Sequence, residues 1–222
     1  MYRLQDKLSP SLYGFLPQRS THHCLLELYT CLSSTSLVAF MDLKSAFDIA
    51  NPDVILDQLV DFGICGNLLQ WIRGYLSNRS SYVLFKGACS TPKCFGLGTP
   101  QGGVLSPFLF NILMHRLISK LPDIPGTTIT CYADNICVHS NSPEDLQHFL
   151  HSFYESSSSC GLVISLKKAG SSLHKTHEHC LNFQWAPALC HSAHSIFIWA
   201  LQFESFPPPR HVSVFIPLFR NC

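Results

Sequence analysis

Two aspartates, Asp42 and Asp134, stand where a charged side chain is costly unless it is solvated, paired or bound to a metal. Asp42 ends the apolar run 37–41, and Asp134 lies between the apolar segments 128–132 and 136–140. If the strands predicted there are neighbours, both carboxylates face one point and make a site for a hard cation such as Mg²⁺, which takes oxygen ligands. The alternative for each is a turn or strand-end residue that faces water.

The segments that must position these aspartates form a mixed α/β pattern. The run 37–41 predicts a strand buried on both faces. Segments 128–132 and 136–140 predict a hairpin whose three-residue loop, 133–135, has Asp134 at its tip. We therefore expect strands that are buried against helices on one side.

Capping residues mark where the helices begin and end. Ser20 precedes a helical pattern, and Ser142 caps a second helix that stops at Gly161. Asn51-Pro52 begins a helix that Gly63 closes. Two further helices are predicted, one at about 67–77 and one that begins at Ser106-Pro107. A pair of strands is predicted from SYVLF at 81–85 to Leu97.

Composition excludes several classes of protein. The 222 residues are 46% hydrophobic and only 13% charged, with a net charge of +1, which excludes a disordered chain, a coiled coil and a charged-tail protein. Net charge alone gives no argument for a nucleic-acid or membrane partner. No run of about 20 mostly apolar residues predicts a membrane span.

The cysteines favour an intracellular protein, in nucleus or cytoplasm, rather than a secreted one. Their number, 11, is odd, no C-x-x-C pattern occurs, and the N-terminal MYRLQDKLSP lacks the apolar stretch of a secretory signal. Reduced thiols in an intracellular compartment are the expectation that follows.

Four segments resemble, in order, the palm motifs of reverse transcriptases, most closely those of non-LTR (LINE-type) retrotransposons. A fifth segment resembles the stretch that precedes the first palm motif in those enzymes. The four are FMDLKSAFD (40–48), GTPQGGVLSP (98–107), YADN (132–135) and GLVISLKK (161–168), and the fifth is YGFLPQRST (13–21).

The resemblance implies the palm of a right-hand polymerase with partial fingers. It places partial fingers at 1–35, the palm at 36–172 and an unassigned, poorly ordered tail at 173–222, with no recognisable thumb. The implied activity is that of an RNA-directed DNA polymerase, which extends a DNA primer on an RNA template with deoxynucleoside triphosphates. Neither a membrane nor an obligate protein partner is implied.

The same resemblance assigns the metal ligands. Asp42, the backbone carbonyl of Leu43 and Asp134 match the family's metal-binding positions and would hold two Mg²⁺ ions. Asn135 stands where the family has a second aspartate and is included among the metal ligands and catalytic residues, because an amide oxygen can still bind a metal. It supplies no negative charge, so the site has one charge fewer than the family's.

The resemblance also implies roles for further site residues. Phe47 matches the steric gate that excludes a 2′-hydroxyl, the alternative being a core phenylalanine. Gln101 and Gly102 match the segment that contacts nucleotide and template. Lys168 matches a proton donor to the leaving pyrophosphate, the alternative being a solvated lysine, and Arg19 is expected at the triphosphate.

Departures from the family pattern favour a second reading, a catalytically impaired retrotransposon remnant that is inactive or binds nucleic acid weakly. Besides Asn135, Ser165 and Ala169 replace the usual Asn and Thr of the fourth motif. We expect no upstream fingers segment before Tyr13 and no endonuclease domain. Residues 1–172 carry 12 Lys and Arg against 12 Asp and Glu, so a net-neutral core offers little charge for a template channel.

The tail suggests a third possibility, a zinc-binding module. Its spacing does not match the paired ligands of structural zinc sites, so scattered residues are the favoured alternative. The candidate ligands are His177, His179, Cys180, Cys190, His191 and His194.

Overall fold

The structure is a computed structural model that describes residues 2–32 and 36–165. Its helices are α1 (Tyr2–Gln5), α2 (Thr21–Cys31), α3 (Ala46–Ile49), α4 (Pro52–Asp61), α5 (Gly66–Leu76), α6 (Ser106–Ile118) and α7 (Pro143–Ser159). Its strands are β1 (Leu37–Asp42), β2 (Arg79–Ser81), β3 (Leu84–Phe85), β4 (Ala88–Cys89), β5 (Lys93–Phe95), β6 (Thr127–Tyr132) and β7 (Asn135–Ser140). None of the helices described has the length and apolar character needed to cross a membrane.

The central sheet has three antiparallel strands in the order β1-β7-β6. Strand β7 pairs with β1 from Leu37↔Ser140 to Asp42↔Asn135, and with β6 on its other side. The predicted three-residue loop of the hairpin is wrong, because Asn135 already pairs with Tyr132 as the first residue of β7. A positive φ of 56° at Ala133 lets two residues close the turn, which is the tight connection that antiparallel strands favour.

One face of this sheet packs on the helices to form the hydrophobic core. Helix α6 is buried on nearly all sides, with nine of its thirteen residues buried, which explains its mostly apolar sequence. Helices α4 and α7 contribute their apolar faces to the same core. The sheet's contribution comes from alternate residues, Ala39, Met41, Ile129, Cys131, Ile136 and Val138.

The opposite face of β1 is only partly covered, which corrects the prediction of a strand buried on both faces. Phe40 is 49% exposed, whereas its neighbours Ala39 and Met41 are buried. Helix α2 lies over β6, at the far edge of the sheet from β1. The sheet thus has helices packed against one full face and part of the other.

The predicted helix caps are confirmed. The hydroxyl of Ser20 accepts from the His23 N–H, the Asn51 side chain accepts from the Asp53 N–H, and the Ser142 hydroxyl accepts from the Asp145 N–H. Each bond satisfies a backbone donor that the first helical turn leaves without an intrahelical partner.

The region between α5 and α6 differs from the predicted pair of strands. It contains two separate two-stranded ladders, β2 with β5 and β3 with β4. A tight turn at Lys86 and Gly87, both at positive φ, closes the inner ladder after only two residues. Almost every residue from 77 to 97 is exposed, so no core packing extends these strands.

The N-terminal segment packs into the same core as the sheet. Leu8, Leu12 and Leu16 are buried members of the main hydrophobic cluster. The division into partial fingers at 1–35 and palm at 36–172 stays a prediction. Residues 166–222, with Lys168, Ala169 and the candidate zinc ligands of the tail, lie outside the described residues.

A buried histidine, His139, and a half-buried one, His115, predict how stability depends on pH. Burial lowers the pKa of His115, with the Arg116 cation adding to it, and burial also lowers the pKa of His139. As pH falls through the unfolded value of about 6.5, the unfolded chain takes up protons first, so folding is most favourable above that pH and weakens below it. We expect the thermal unfolding midpoint to drop by about 2–6 °C from pH 7.5 to pH 5.5.

The variant His139→Gln should show a smaller drop between the two pH values, whatever its stability at pH 7.5. Replacing the exposed His148 by Gln is the matched control and should leave the drop unchanged. Equal drops in all three proteins would contradict the assignment to buried histidines.

Candidate active site

Asp42 and Asp134 lie at the same end of the central sheet. Asp42 is the last residue of β1 and pairs across the strands with Asn135. The Leu43 N–H donates to the carbonyl of Asp134 at 3.3 Å, so the two chain segments are in direct contact. The structure therefore brings together the two aspartates that were predicted from positions 92 residues apart.

The fourth motif flanks the same point from the other side. The Ser165 N–H donates to the Asp42 carbonyl at 2.7 Å, and the Lys44 N–H donates to the Val163 carbonyl at 2.8 Å. Residues 42–44 are thus held between the hairpin turn and segment 163–165.

The donor chemistry of this site suits a hard divalent cation. The Oδ2 atom of Asp42 is buried and Asp134 is half-buried, so this end of the sheet offers two carboxylates that are only partly exposed to water. In the part of the chain that the structure describes, His, Cys, Asp and Glu side chains form no group of three that could hold a metal ion. Backbone, water or substrate oxygens would have to complete the shell, as is usual for Mg²⁺.

Asn135 contributes a hydrogen-bond donor to this acidic site. Its side chain is exposed, and its Nδ2 donates to Oδ1 of Asp134 at 3.3 Å. An aspartate in the same place would offer a second carboxylate and one more negative charge. The amide therefore occupies one acceptor oxygen of the residue expected to bind metal.

Phe47 is held in a stack of aromatic rings beside the site. It lies in α3, five residues after Asp42, with its ring stacked on Phe110 at 4.3 Å between centroids and edge-on to Phe15 at 6.0 Å. The ring is half-buried against the core. A steric gate must stay in place, and a ring that is held on two sides cannot swing away easily. The role of Phe47 as a steric gate stays a prediction.

The segment 98–101 is docked onto α3. The Thr99 N–H donates to the Phe47 carbonyl at 2.8 Å, and Nε2 of Gln101 donates to Oδ1 of Asp48 at 2.7 Å. A Cβ on Gly98 would lie 2.6 Å from the Asp48 carbonyl oxygen, so the close approach requires glycine there. Gln101 is exposed and lies beside α3, the helix that contains Phe47.

The two glycines after Gln101 have different roles. Gly102 needs its positive φ of 82°, but a Cβ there would meet no atom within 4 Å. Gly103 is the one in close contact, because its Cβ would lie 2.1 Å from the Tyr75 hydroxyl oxygen. The loop thus turns at Gly102 and packs at Gly103, while the nucleotide contact of Gln101 and Gly102 stays a prediction.

Arg19 binds the chain's own backbone. Its Nη1 donates to the carbonyls of Pro10, at 2.8 Å, and Leu12, and its guanidinium lies 5.6 Å from the centre of the Tyr13 ring. These contacts fix the segment that leads to the site, and its contact with a triphosphate stays a prediction.

Charge segregation between α4 and β6 was missed from the sequence. From residue 62 to residue 122 the chain has six Lys and Arg and no Asp or Glu, which gives +6 in a protein whose total is +1. The same segment exposes Trp71, Tyr82 and Phe85 to 60–68%. Counting charge in short windows would have found this surface, whereas the sum over 1–172 averaged it to zero.

Comparison with known proteins agrees with the geometry. The family described as reverse transcriptase (RNA-dependent DNA polymerase) matches residues 1–185. The chain belongs to the reverse transcriptase family. Proteins of this family are generally metal-dependent, which is consistent with the oxygen donors at Asp42 and Asp134.

The curated relatives are mobile-element proteins. A retrovirus-related Pol polyprotein from the retrotransposable element R2 of Popillia japonica is 32% identical over 127 residues, which are 54% of this chain and 18% of the relative. The group II intron-encoded protein LtrA of Lactococcus lactis is 28% identical over 110 residues, 47% of this chain and 16% of the relative. The chain thus spans less than a fifth of the length of these relatives.

Solved structures share the fold at low identity. Apo telomerase from Candida tropicalis has a TM-score of 0.60 at 12% identity, covering 75% of this chain and 34% of that one. The same telomerase in complex with a TWJ fragment of telomeric RNA has a TM-score of 0.58 at 14% identity, covering 71% and 29%. The predicted right-hand polymerase fold and the retrotransposon resemblance are confirmed.

Asn135→Asp is expected to raise primer extension at least tenfold. The substitution restores a negative charge and removes the amide donor from Asp134, so metal binding and charge stabilisation should both improve; the deficit corresponds to about 3–4 kcal/mol. The measurement is the extension rate at saturating Mg²⁺.

The matched control is Gln147→Glu, which adds the same charge at an exposed position of α7, outside the basic segment 62–122. No gain from Asn135→Asp at saturating Mg²⁺, or an equal gain from both variants, would contradict this explanation.

Proposed function

We propose that this chain is the palm of an RNA-directed DNA polymerase that extends a DNA primer on an RNA template. The observation that supports it is the strand register Asp42↔Asn135, which sets the first-motif aspartate beside the hairpin that carries Asp134.

Two Mg²⁺ ions are the proposed cofactors, held by Asp42, Asp134 and the backbone carbonyl of Leu43. When bound, such ions lower the pKa of the attacking 3′-hydroxyl and compensate the charge that develops at the phosphate. The chain's own residues supply position. The sheet fixes Asp42, the hairpin turn fixes Asp134, and segment 163–165 hydrogen-bonds the backbone of residues 42 and 44. Positioning and charge compensation account for most of the rate in phosphoryl transfer.

The basic segment 62–122 is the proposed nucleic-acid surface. Lys86 and Lys93 are exposed there together with Trp71, Tyr82 and Phe85, a combination that attracts phosphates and stacks bases. Gln101 lies in the same segment, and its side chain donates to Asp48, the residue after Phe47. Deoxynucleoside triphosphates are the proposed second substrate.

The second candidate is an impaired remnant that binds nucleic acid without extending it. The observation in its favour is Asn135, which replaces a carboxylate and donates to Asp134. Binding and extension must therefore be measured separately.

Primer extension on an RNA template tests the proposal. In the Asn135→Asp background we expect Mg²⁺-dependent extension that Asp42→Asn lowers at least 100-fold, because one of three carboxylates at the site is lost. Asp57→Asn, an exposed aspartate of α4, is the matched control and should keep full activity. Template binding without extension in every variant would favour the remnant, and extension that persists in Asp42→Asn would refute the assigned site.

Phe47→Val is expected to relax the choice of sugar. Removing the ring opens space under the incoming nucleotide, so the ratio of ribonucleotide to deoxynucleotide incorporation should rise at least tenfold in the Asn135→Asp background. Phe62→Val, at the C-cap of α4, where the ring contacts His115, is the control and should leave the ratio unchanged. An unchanged ratio in Phe47→Val would assign Phe47 to the core alone.

A further inference from the structure

A short segment near the N-terminus pairs with the edge of the central sheet. Residues 11–14, here named the strap, run parallel to β6 and form a bridge between Leu12 and Cys131. The Tyr13 N–H donates to the Cys131 carbonyl, and the Cys131 N–H donates to the Ser11 carbonyl, both at 2.8 Å. The strap thus continues the sheet beyond β6 and ends at the hairpin turn.

Gly14, the last strap residue, lies directly against that turn. A Cβ on Gly14 would be 2.6 Å from the backbone nitrogen of Ala133 and 3.3 Å from its Cα. Both atoms belong to the backbone, so they cannot move aside as a flexible side chain would. Gly14 is therefore in tight contact with the backbone of Ala133, the residue immediately before Asp134.

The turn needs such support. Ala133 has a φ of 56°, a left-handed conformation that alanine adopts at a cost and keeps only when its surroundings hold it. A relaxed turn would redirect the carboxylate of Asp134, because that residue is the second of the two that close the hairpin.

A buried amide ties the strap to the helical core. Asn111 in α6 is only 1% exposed, and its Nδ2 donates to the Gly14 carbonyl at 2.8 Å. A primary amide in an otherwise apolar helix is costly to bury unless it makes such a bond, so the bond has to form for the helix to pack. The ring of Phe110, the residue before Asn111, is stacked on the ring of Phe47. The same turn of α6 therefore contacts both the strap and Phe47.

We propose that Asn111 is a positioning residue for the aspartate hairpin. It holds the Gly14 carbonyl, Gly14 holds Ala133 in its left-handed conformation, and Asp134 is thereby kept facing Asp42. The consequence for metal binding rests on the proposed function, whereas the mechanical link from α6 to the turn does not.

The test compares Asn111→Leu with the unsubstituted full-length chain. Leucine has nearly the same shape and removes the donor, so we expect hydrogen exchange of the amides in 131–136 to rise at least tenfold, with exchange in α4 unchanged. The Mn²⁺ concentration that half-saturates the site, followed by electron paramagnetic resonance, should also rise at least tenfold. Loss of that signal in Asp42→Asn identifies the site that is titrated.

Gln58→Leu is the matched control, since Gln58 is another amide on a core helix and is 4% exposed. It is expected to lower stability without changing exchange in the hairpin or the Mn²⁺ midpoint. Gly14→Ala disturbs the same contact from the strap and should reproduce the hairpin exchange of Asn111→Leu. If Asn111→Leu does not fold, Gly14→Ala decides the question by that readout.

The inference is overturned if hairpin exchange and Mn²⁺ midpoint both stay at their original values in the variants at Asn111 and Gly14. It is equally overturned if Gln58→Leu loosens the hairpin to the same degree. Absence of saturable Mn²⁺ binding in the unsubstituted chain would refute the proposed function instead. The exchange measurement, made without metal or nucleic acid, would still decide whether Asn111 holds the turn.

Discussion

The antiparallel pairing of β1 with β7 is the interaction on which the site depends. It runs without interruption from Leu37↔Ser140 to Asp42↔Asn135, so the last pair of the ladder is also the acidic end of the sheet. A shift of one residue in this register would move Asp42 to the opposite face of the sheet. It would also turn Met41 out of the core and Phe40 into it. The burial of Ala39 and Met41 therefore specifies the register that brings the aspartates together.

The sequence predicted the features that depend on contacts between residues close together in the chain. Ser20, Asn51 and Ser142 begin helices because each side chain bonds a backbone N–H two or three residues away. The aspartate hairpin was predicted for the same reason, since alternation and a turn between two apolar runs are visible within a dozen residues. The family resemblance then named the two aspartates that the register brings together.

Features decided by distant contacts were not predicted. The hairpin loop is one residue shorter than expected because Ala133 adopts a positive φ against Gly14, which precedes it by 119 residues. Phe40 is exposed because the helix on that face of the sheet lies over β6, which periodicity along β1 cannot reveal. The strap has only four residues and no strand-like alternation, so nothing in its own sequence indicated a pairing with Cys131.

The parallel pairing of the strap with β6 has a consequence for the order of folding. Tyr13 leaves the ribosome long before Cys131, so its partner strand does not exist while most of the chain is being made. The contact closes a loop of roughly 120 residues, and such long-range closure comes late because its entropy must be overcome before any bond forms. The β6–β7 hairpin is a local structure that can begin to form first, and its turn becomes rigid only when the strap returns to it.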